Sequence, residues 1–214
     1  MKIFKNWYFP DTEEHFIDHL KKFNISEYQK AQRDASFKFL KNKRTAIDIG
    51  ANVGLWAKDI CKVFNSSKLF EPYDLNIECL KKNLESYKNF EIFDCALSNR
   101  SGLSQLYIYD NGLGSNTLNP KGDANTKSLT IKTNKLDDFN FTQIDYIKID
   151  VQFHELEVIE GSILTLKNND PVLCIESARR NEEELSYVKK FSFLLESLNY
   201  KIVGGLGKEL FFRK

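Results

Sequence analysis

The chain has 214 residues, and its 31 Lys and Arg nearly balance its 30 Asp and Glu, for a net charge of +1 at pH 7. The length fits a single domain with one large core. The near-neutral charge excludes the broad basic surface of a general nucleic-acid binder, so no nucleic-acid partner is expected. Hydrophobic residues at 42% and aromatic residues at 13% exclude intrinsic disorder.

Targeting and metal signals are missing from the sequence. The first 16 residues are polar and charged and lack the apolar core of a secretory signal, and no apolar run reaches the roughly 18 residues of a membrane-spanning helix. The cysteines Cys61, Cys79, Cys95 and Cys174 form no CxxC pair, which favours reduced thiols over disulfides or a metal site. We therefore expect a cytoplasmic protein with no membrane span and no metal site.

Apolar positions at helical spacing predict a helical extension over residues 1–43, followed by the main domain at 44–214. From residue 45 onward, short β-rich apolar runs alternate with amphipathic stretches, which predicts an α/β fold with a mostly parallel sheet and helices on both faces. The predicted strands are 45–49, 68–71, 90–96, 146–150 and 172–176, and the predicted helices are 55–64, 75–87, 155–166 and 182–198.

Two segments depart from this alternation. Residues 103–109 and 128–132 alternate apolar and polar side chains around a loop rich in Gly, Asn and Ser, which predicts an inserted antiparallel pair. Residues 201–203 and 209–212 flank a glycine turn and predict an antiparallel edge that closes the sheet.

The most informative stretch is a strand that runs into a glycine turn and then a helix, Thr-Ala-Ile-Asp-Ile-Gly-Ala-Asn-Val-Gly, which begins at Thr45. Gly50 allows a sharp turn and close approach of a ligand to the backbone, and Gly54 allows close packing of the helix. The pattern is not the dinucleotide fingerprint G-x-G-x-x-G. Asp48, two residues before the first glycine, would repel a pyrophosphate, so a cationic or neutral ligand is favoured.

A second acid, Glu71, ends the second predicted strand and is followed by Pro72. Because adjacent strands of such a sheet end at the same edge, its carboxylate can accept the hydroxyls of an unphosphorylated ribose. The alternative is a surface acid before a turn-forming proline. S-adenosylmethionine, which joins an adenosine to a sulfonium, has the positive centre and free ribose that these residues require.

Seven stretches, in chain order, resemble the FkbM-type class I methyltransferases: AIDIGANVGLW, LFEPYDLNIECLKKNL, FDCALSNRSG, GLGSNTL, LDDF, DYIKIDVQFHELEVIEGS and PVLCIE. The resemblance implies a Rossmann-like, mostly parallel seven-stranded sheet, S-adenosylmethionine as methyl donor, and usually O-methylation of a sugar or natural-product hydroxyl. The first 43 residues and the C-terminal tail lie outside it.

The resemblance also assigns cofactor-binding positions. The first motif corresponds to the methionine portion, with Asp48 toward the ammonium group, and Glu71 corresponds to the ribose acid. Apart from the resemblance, we expect the long loop with Ser115, Asn116 and Thr117 to close over the cofactor or acceptor. The strand end at Asp94 corresponds to the adenine position, although a solvated strand-end acid is nearly as good an interpretation. The full set is Asp48, Gly50, Ala51, Asn52, Gly54, Glu71, Pro72, Asp94, Cys95, Ala96, Ser115 and Asp150.

At the reacting end, Asp150 closes a K-I-D strand and is the first candidate for a catalytic group; a buried ion pair with Lys148 is the alternative. Glu176 ends the next strand, and repulsion within the pair would raise one pKa. His154 is a further candidate because its pKa near neutrality suits proton transfer, although a helix cap or surface role is the alternative.

The family usually continues V-E-G-x-E, whereas this chain has Val-Gln-Phe-His-Glu from Val151 to Glu155. Gln152 cannot act as a base, and Phe153 adds a ring where glycine would stand. Two functions follow: an S-adenosylmethionine-dependent O-methyltransferase for a small acceptor such as a sugar or glycan, or a binding module that keeps the cofactor but has altered or lost turnover. The third alternative, a nicotinamide oxidoreductase, is disfavoured because the sequence lacks the glycine pattern of that class. The oligomeric state stays open.

Overall fold

This computed structural model describes residues 1–22, 25–109, 116–119, 127–178 and 180–214, which form twelve strands and seven α-helices. The strands are β1 (Lys2–Phe4), β2 (Trp7–Phe9), β3 (Thr45–Ile49), β4 (Ser66–Phe70), β5 (Phe90–Phe93), β6 (Ala96–Leu97), β7 (Gly102–Ile108), β8 (Lys127–Asn134), β9 (Ile144–Ile149), β10 (Val172–Glu176), β11 (Lys201–Leu206) and β12 (Glu209–Arg213). The helices are α1 (His15–Lys21), α2 (Lys30–Phe37), α3 (Ala57–Val63), α4 (Asp74–Asn83), α5 (Glu155–Glu160), α6 (Ile163–Asn169) and α7 (Glu182–Ser197).

Seven strands form the central sheet, in the order β11-β12-β10-β9-β3-β4-β5. The five strands from β10 to β5 are parallel to their neighbours, whereas β12 runs antiparallel to both β10 and β11. This confirms the predicted mostly parallel sheet with its antiparallel edge. The chain moves outward from β3 to β5 and later returns to β9 on the other side of β3, so a switch point lies between β3 and β9, where ligands bind in such sheets.

Side-chain alternation along the strands separates two apolar layers. Ile47 and Ile147 point to the face covered by α5, α6 and α7, where they join the cluster that contains Phe191. Tyr146 points to the opposite face and packs with Ile60 of α3. Helices therefore cover both faces, as predicted.

Two predicted elements are divided in the structure. The predicted strand 90–96 stops at Phe93, and Ala96–Leu97 then pairs with β8 in a second sheet of order β6-β8-β7. Within this sheet β7 and β8 form the predicted antiparallel pair. The predicted helix 155–166 is divided at Gly161, where the chain passes so close to Ser98 that a Cβ would lie 2.0 Å from its carbonyl oxygen.

The prediction of helices alone for residues 1–43 is wrong at the N-terminus, where β1 and β2 form an antiparallel hairpin. Lys5 and Asn6 have φ of 48° and 63°, as in the two-residue turns that suit hairpins, and three-residue strands are too short to show a period. Asn83 of α4 holds the hairpin through the backbone N–H and carbonyl of Tyr8, at 2.8 and 3.0 Å. The division into an extension and a main domain stays a prediction.

None of the helices in these described ranges is long and apolar enough to cross a membrane.

Candidate active site

A cavity of about 600 Å³, measured to its open mouth, lies at the carboxyl ends of β3, β4 and β9. It lies at the switch point of the sheet, where ligands bind in such folds. The sequence-predicted residues in its wall are Gly50, Asn52, Glu71, Pro72, Cys95, Ala96, Asp150 and His154. The structure therefore brings most of the predicted positions together around one space.

The glycine turn is shaped by its protein neighbours. Gly50 has φ of 83°, and a Cβ there would lie 2.1 Å from the carbonyl oxygen of Asp150. Gly54 has φ of 97°, and a Cβ there would lie 2.7 Å from Leu80 of α4. The first glycine therefore lets β3 approach the end of β9, and the second lets α4 pack closely.

Glu71 is buried at the edge of the cavity and is held by three donors. Its Oε2 accepts the backbone N–H of Asn52 at 2.8 Å, and its Oε1 accepts the backbone N–H of Tyr73 at 3.1 Å and the amide of Asn76 at 3.2 Å. Burial raises its pKa to about 7, although these donors oppose the shift. Because a carboxylate offers about four acceptor positions, Oε2 can still accept one ligand hydroxyl.

Asn76 is a site residue that the sequence interpretation missed, whereas Asn116 belongs to the loop that it expected to close over the cofactor or acceptor. Both line the cavity, and the Oδ1 of Asn76 and the Nδ2 of Asn116 are buried without a hydrogen-bond partner among the described residues. Buried polar atoms normally have partners, so these two fit a polar ligand. An amide five residues after Glu71, in the first turn of the following helix, is the signal that would have found Asn76.

Several predicted cofactor residues lie outside the cavity wall. Ala51 and Gly54 lie behind it, Asp94 is exposed, and Ser115 lies outside the described residues. Asp48 is 1% exposed and points to the α2 and α3 face, because Ile47 and Ile49 on either side of it point to the other. Contact between Asp48 and an ammonium group therefore has no support from the placement of its side chain.

Burial raises the pKa of Asp48 to about 7, although the nearby Lys148 ammonium lowers it. The Oδ2 of Asp48 has no hydrogen-bond partner in the described part of the chain. This acid is thus a buried group behind the turn.

Asp150 and Glu176 meet at the reacting end, where the amide of Gln152 donates to both. The Nε2 of Gln152 lies 3.0 Å from Asp150 Oδ1 and 2.7 Å from Glu176 Oε2. Lys148 donates to Asp150 Oδ2 at 3.3 Å, so the buried ion pair considered as an alternative is present. The sequence interpretation treated Gln152 only as a lost acid and did not predict this bridge.

The two carboxyl groups differ in proton affinity. Burial alone would raise the pKa of Asp150, but the Lys148 charge and hydrogen bonds with Glu176, Lys148 and Gln152 hold it below its ordinary value. Burial and the Asp150 charge raise the pKa of Glu176 to about 8. At neutral pH, Asp150 is therefore ionised and Glu176 holds a proton, the separation expected of paired acids.

His154 is not placed as a free base. Its Nε2 lies 3.0 Å from Ser98 Oγ, and its Nδ1 lies 3.2 Å from the amide of Asn119. Burial lowers its pKa, the Arg100 charge lowers it further and Glu157 opposes, so the ring is neutral at pH 7. Both nitrogens already have partners, and the ring joins three segments; we therefore reassign His154 from proton transfer to positioning.

The turn after β9 has an unusual backbone. Gln152 and Phe153 have φ of 53° and 68°, in the left-handed region that favours glycine. Thr117 Oγ1 donates to the carbonyl of Gln152, and the amide of Asn119 donates to that of Phe153, each at 2.6 Å. Phe153 thus takes a glycine-type conformation at the position where the family pattern has glycine.

A second pocket of about 330 Å³ lies on the other side of Gln152. Glu155 and Glu176 contribute carboxyl groups to its wall, and Phe153 and Tyr187 contribute aromatic rings. Because Gln152 lines both spaces, the Asp150–Glu176 pair stands where the two spaces approach each other.

Comparison with known proteins agrees with this geometry. Residues 48–202 match the Methyltransferase FkbM domain, which covers more than half of the chain. None of the curated proteins matches the sequence.

Three solved structures share the fold. Methyltransferase FkbM from Methylobacillus flagellatus KT has a TM-score of 0.60 at 16% identity, covering 92% of this chain and 52% of that one, so this chain spans about half of that protein. SMU.1697c from Streptococcus mutans, crystallised with SAH, has a TM-score of 0.56 at 11% identity, covering 86% and 96%. The ribosomal protein L11 methylase from Lactobacillus delbrueckii subsp. bulgaricus has a TM-score of 0.51 at 11% identity, covering 89% and 79%.

These likenesses establish the class I methyltransferase fold, whose cofactor is S-adenosylmethionine, as the motifs predict. The chain belongs to the FkbM methyltransferase family.

Proposed function

We propose that this protein transfers a methyl group from S-adenosylmethionine to a hydroxyl of a small polyhydroxylated acceptor, such as a sugar or glycan. The observation that carries the proposal is one cavity with a buried acid and two amide atoms that lack a hydrogen-bond partner among the described residues, next to a pair of carboxyl groups that differ in proton affinity. Methyl transfer to oxygen requires both a cofactor site and a group that takes the hydroxyl proton.

The cavity residues fit the cofactor. Glu71 Oε2 and Asn76 Oδ1 supply acceptors for ribose hydroxyls, and Cys95, Leu97 and Leu106 supply an apolar wall for adenine. S-adenosylmethionine, when bound, supplies a methyl group on a cationic sulfur. Asp150 lines the same cavity and is ionised at neutral pH, which suits a cationic ligand.

The second pocket is the proposed acceptor site. Its carboxyl groups can accept hydrogen bonds from hydroxyl groups, and its aromatic rings offer an apolar face to the C–H groups of a sugar. The Arg180 guanidinium pairs with the Glu184 carboxylate at 2.8 Å, whereas the Lys208 ammonium lies 3.4 Å from Glu176 and keeps its charge while Glu176 holds a proton.

The Asp150–Glu176 pair is proposed to take the proton of the attacking hydroxyl. Glu176 becomes a free carboxylate only as the pH rises through about 8, so proton removal becomes more effective at mildly alkaline pH. Lys148 and Lys208 stabilise the resulting charge from either end of the pair.

Methyl transfer is tested with radiolabelled S-adenosylmethionine and a panel of monosaccharides and oligosaccharides. We expect a labelled methyl ether with at least one acceptor, loss of labelling in Asp150→Asn, and retention in Asp170→Asn, an exposed acid at the opposite end of β10. Cofactor binding without transfer to any acceptor would favour the altered binding module, and absence of cofactor binding would exclude both functions.

A further inference from the structure

Gln152 occupies a position that no acidic residue could fill in the same way. Its one amide nitrogen carries two hydrogens, and the two acceptors within reach are Asp150 Oδ1 and Glu176 Oε2. A glutamate there, as in the family pattern V-E-G-x-E, would offer acceptors only and would bring a third acid to the pair. The amide therefore replaces repulsion with two hydrogen bonds.

These contacts form a continuous chain of five side chains. Lys148 donates to Asp150, Gln152 donates to Asp150 and Glu176, and Lys208 lies 3.4 Å from the other oxygen of Glu176. Gln152 stands in its middle and lines both the cofactor cavity and the second pocket. One amide group thus contacts both acids at the same time.

The backbone of Gln152 is fixed from outside the turn. The residue takes the left-handed conformation, and Thr117 from the inserted segment holds its carbonyl oxygen at 2.6 Å. Residues other than glycine rarely adopt this conformation, because it strains the backbone. The contact with Thr117 therefore holds the backbone from which the Gln152 side chain extends.

We propose that Gln152 is a positioning residue that joins Asp150 and Glu176 into one pair sharing a single proton, at the wall between the cofactor cavity and the acceptor pocket. This role rests on the proposed methyl transfer, because the pair is the group that accepts the hydroxyl proton. Gln152 itself takes no proton; it sets the pH range over which the pair can take one.

Other charged and titratable groups also face the pair, and each contributes to its proton affinity. They come from the segment before α2, from β3, β9, α5 and β10, and from the C-terminal hairpin with the residues before α7: Tyr28, Asp48, Lys148, Glu155, Cys174, Arg180, Lys208 and Glu209. The variants below leave all of them in place, so a change in titration reports on Gln152.

The test replaces Gln152 by methionine, which has a similar shape but no donors, and follows the Glu176 carboxyl by ¹³C NMR in glutamate-labelled protein, assigned with Glu176→Gln. We expect the upper titration midpoint of the pair to rise by about one pH unit or more, because donors to the ionised form are lost. Gln152→Glu, which keeps the chain length, should also raise it. Gln105 is exposed on β7, so Gln105→Met is the matched control and should leave the titration midpoint unchanged.

An unchanged Glu176 midpoint in folded Gln152→Met and Gln152→Glu would overturn the proposal. The titration needs no acceptor, so its outcome stands apart from the methyl-transfer test. Once an acceptor is known, the pH profile of kcat/KM should move alkaline by the same amount in Gln152→Met, with about tenfold lower kcat/KM at pH 7. A profile that falls equally at every pH would show a merely structural effect and would contradict the role.

Discussion

Above a pH of about 7, where Glu71 is ionised, its replacement with Gln removes one charge at the cavity edge while keeping the shape of the side chain. In the wild-type protein, both carboxylate oxygens accept, from the backbone N–H groups of Asn52 and Tyr73 and from the amide of Asn76. A glutamine presents only one oxygen, which can accept at most two bonds, so at least one of the three donors meets an amide N–H₂ instead.

The structure sets the size of the effect. A hydrogen bond to a charged acceptor contributes about 1.5 to 3 kcal/mol, so loss of the proposed ribose contact weakens SAH binding roughly 10- to 150-fold. The buried donor that loses its acceptor lowers the free energy of unfolding by a further 1 to 3 kcal/mol, approximately.

Isothermal titration calorimetry with SAH measures the affinity, and chemical denaturation measures the stability of the same samples. Glu91→Gln is the matched control, since Glu91 is exposed on neighbouring β5 and its carboxylate pairs with the Lys68 ammonium at 2.7 Å. The control should bind SAH as the wild type does. A folded Glu71→Gln protein that binds SAH within threefold of wild type would refute the assignment of Glu71 to the ribose.

Three further outcomes are expected, each measured by chemical denaturation. Gly50→Ala should lower the free energy of unfolding by at least about 2 kcal/mol because its Cβ would meet the Asp150 carbonyl, whereas Gly102→Ala, with open space and φ of 151°, should cost only about 1 kcal/mol; equal losses would contradict the clash. Phe153→Gly should be more stable than Phe153→Ala by about 1 kcal/mol, because both lack the ring and only alanine keeps the left-handed strain; no difference would show an unstrained backbone. The free energy of unfolding should fall by about several kcal/mol as the pH rises from about 4.5 to 8, because buried acids bind protons more tightly in the folded state than in the unfolded state. A constant or rising free energy of unfolding would contradict the raised pKa values of Asp48, Glu71, Glu155 and Glu176.

The sequence predicts the central sheet well because its strands are buried and have clear ends in the sequence. The limits of β3 and β10 agree with the predicted 45–49 and 172–176, since each is a short apolar run that ends at a turn or an acid. The N-terminal hairpin could not be predicted in this way, because its strands have three residues each and its turn uses Lys5 and Asn6 rather than glycine.

The site residues at strand ends could be predicted from their positions in the chain. The contacts between residues that are distant in the sequence could not. Glu71 and Asp150 follow from strand ends, which the sheet brings to one edge. The amide of Gln152 bridges two acids that lie 26 residues apart in the chain, a relationship that only the folded structure reveals. His154 was expected to be reactive, yet Ser98 and Asn119, which occupy its nitrogens, come from other segments.

A crystal structure of the protein with SAH tests the central claim most directly. We predict that the adenosine occupies the cavity between Glu71 and Leu97, with a ribose hydroxyl on Glu71 Oε2 and another within reach of Asn76 Oδ1. SAH bound elsewhere, or a ribose that touches neither residue, would contradict the assignment of this cavity to the cofactor.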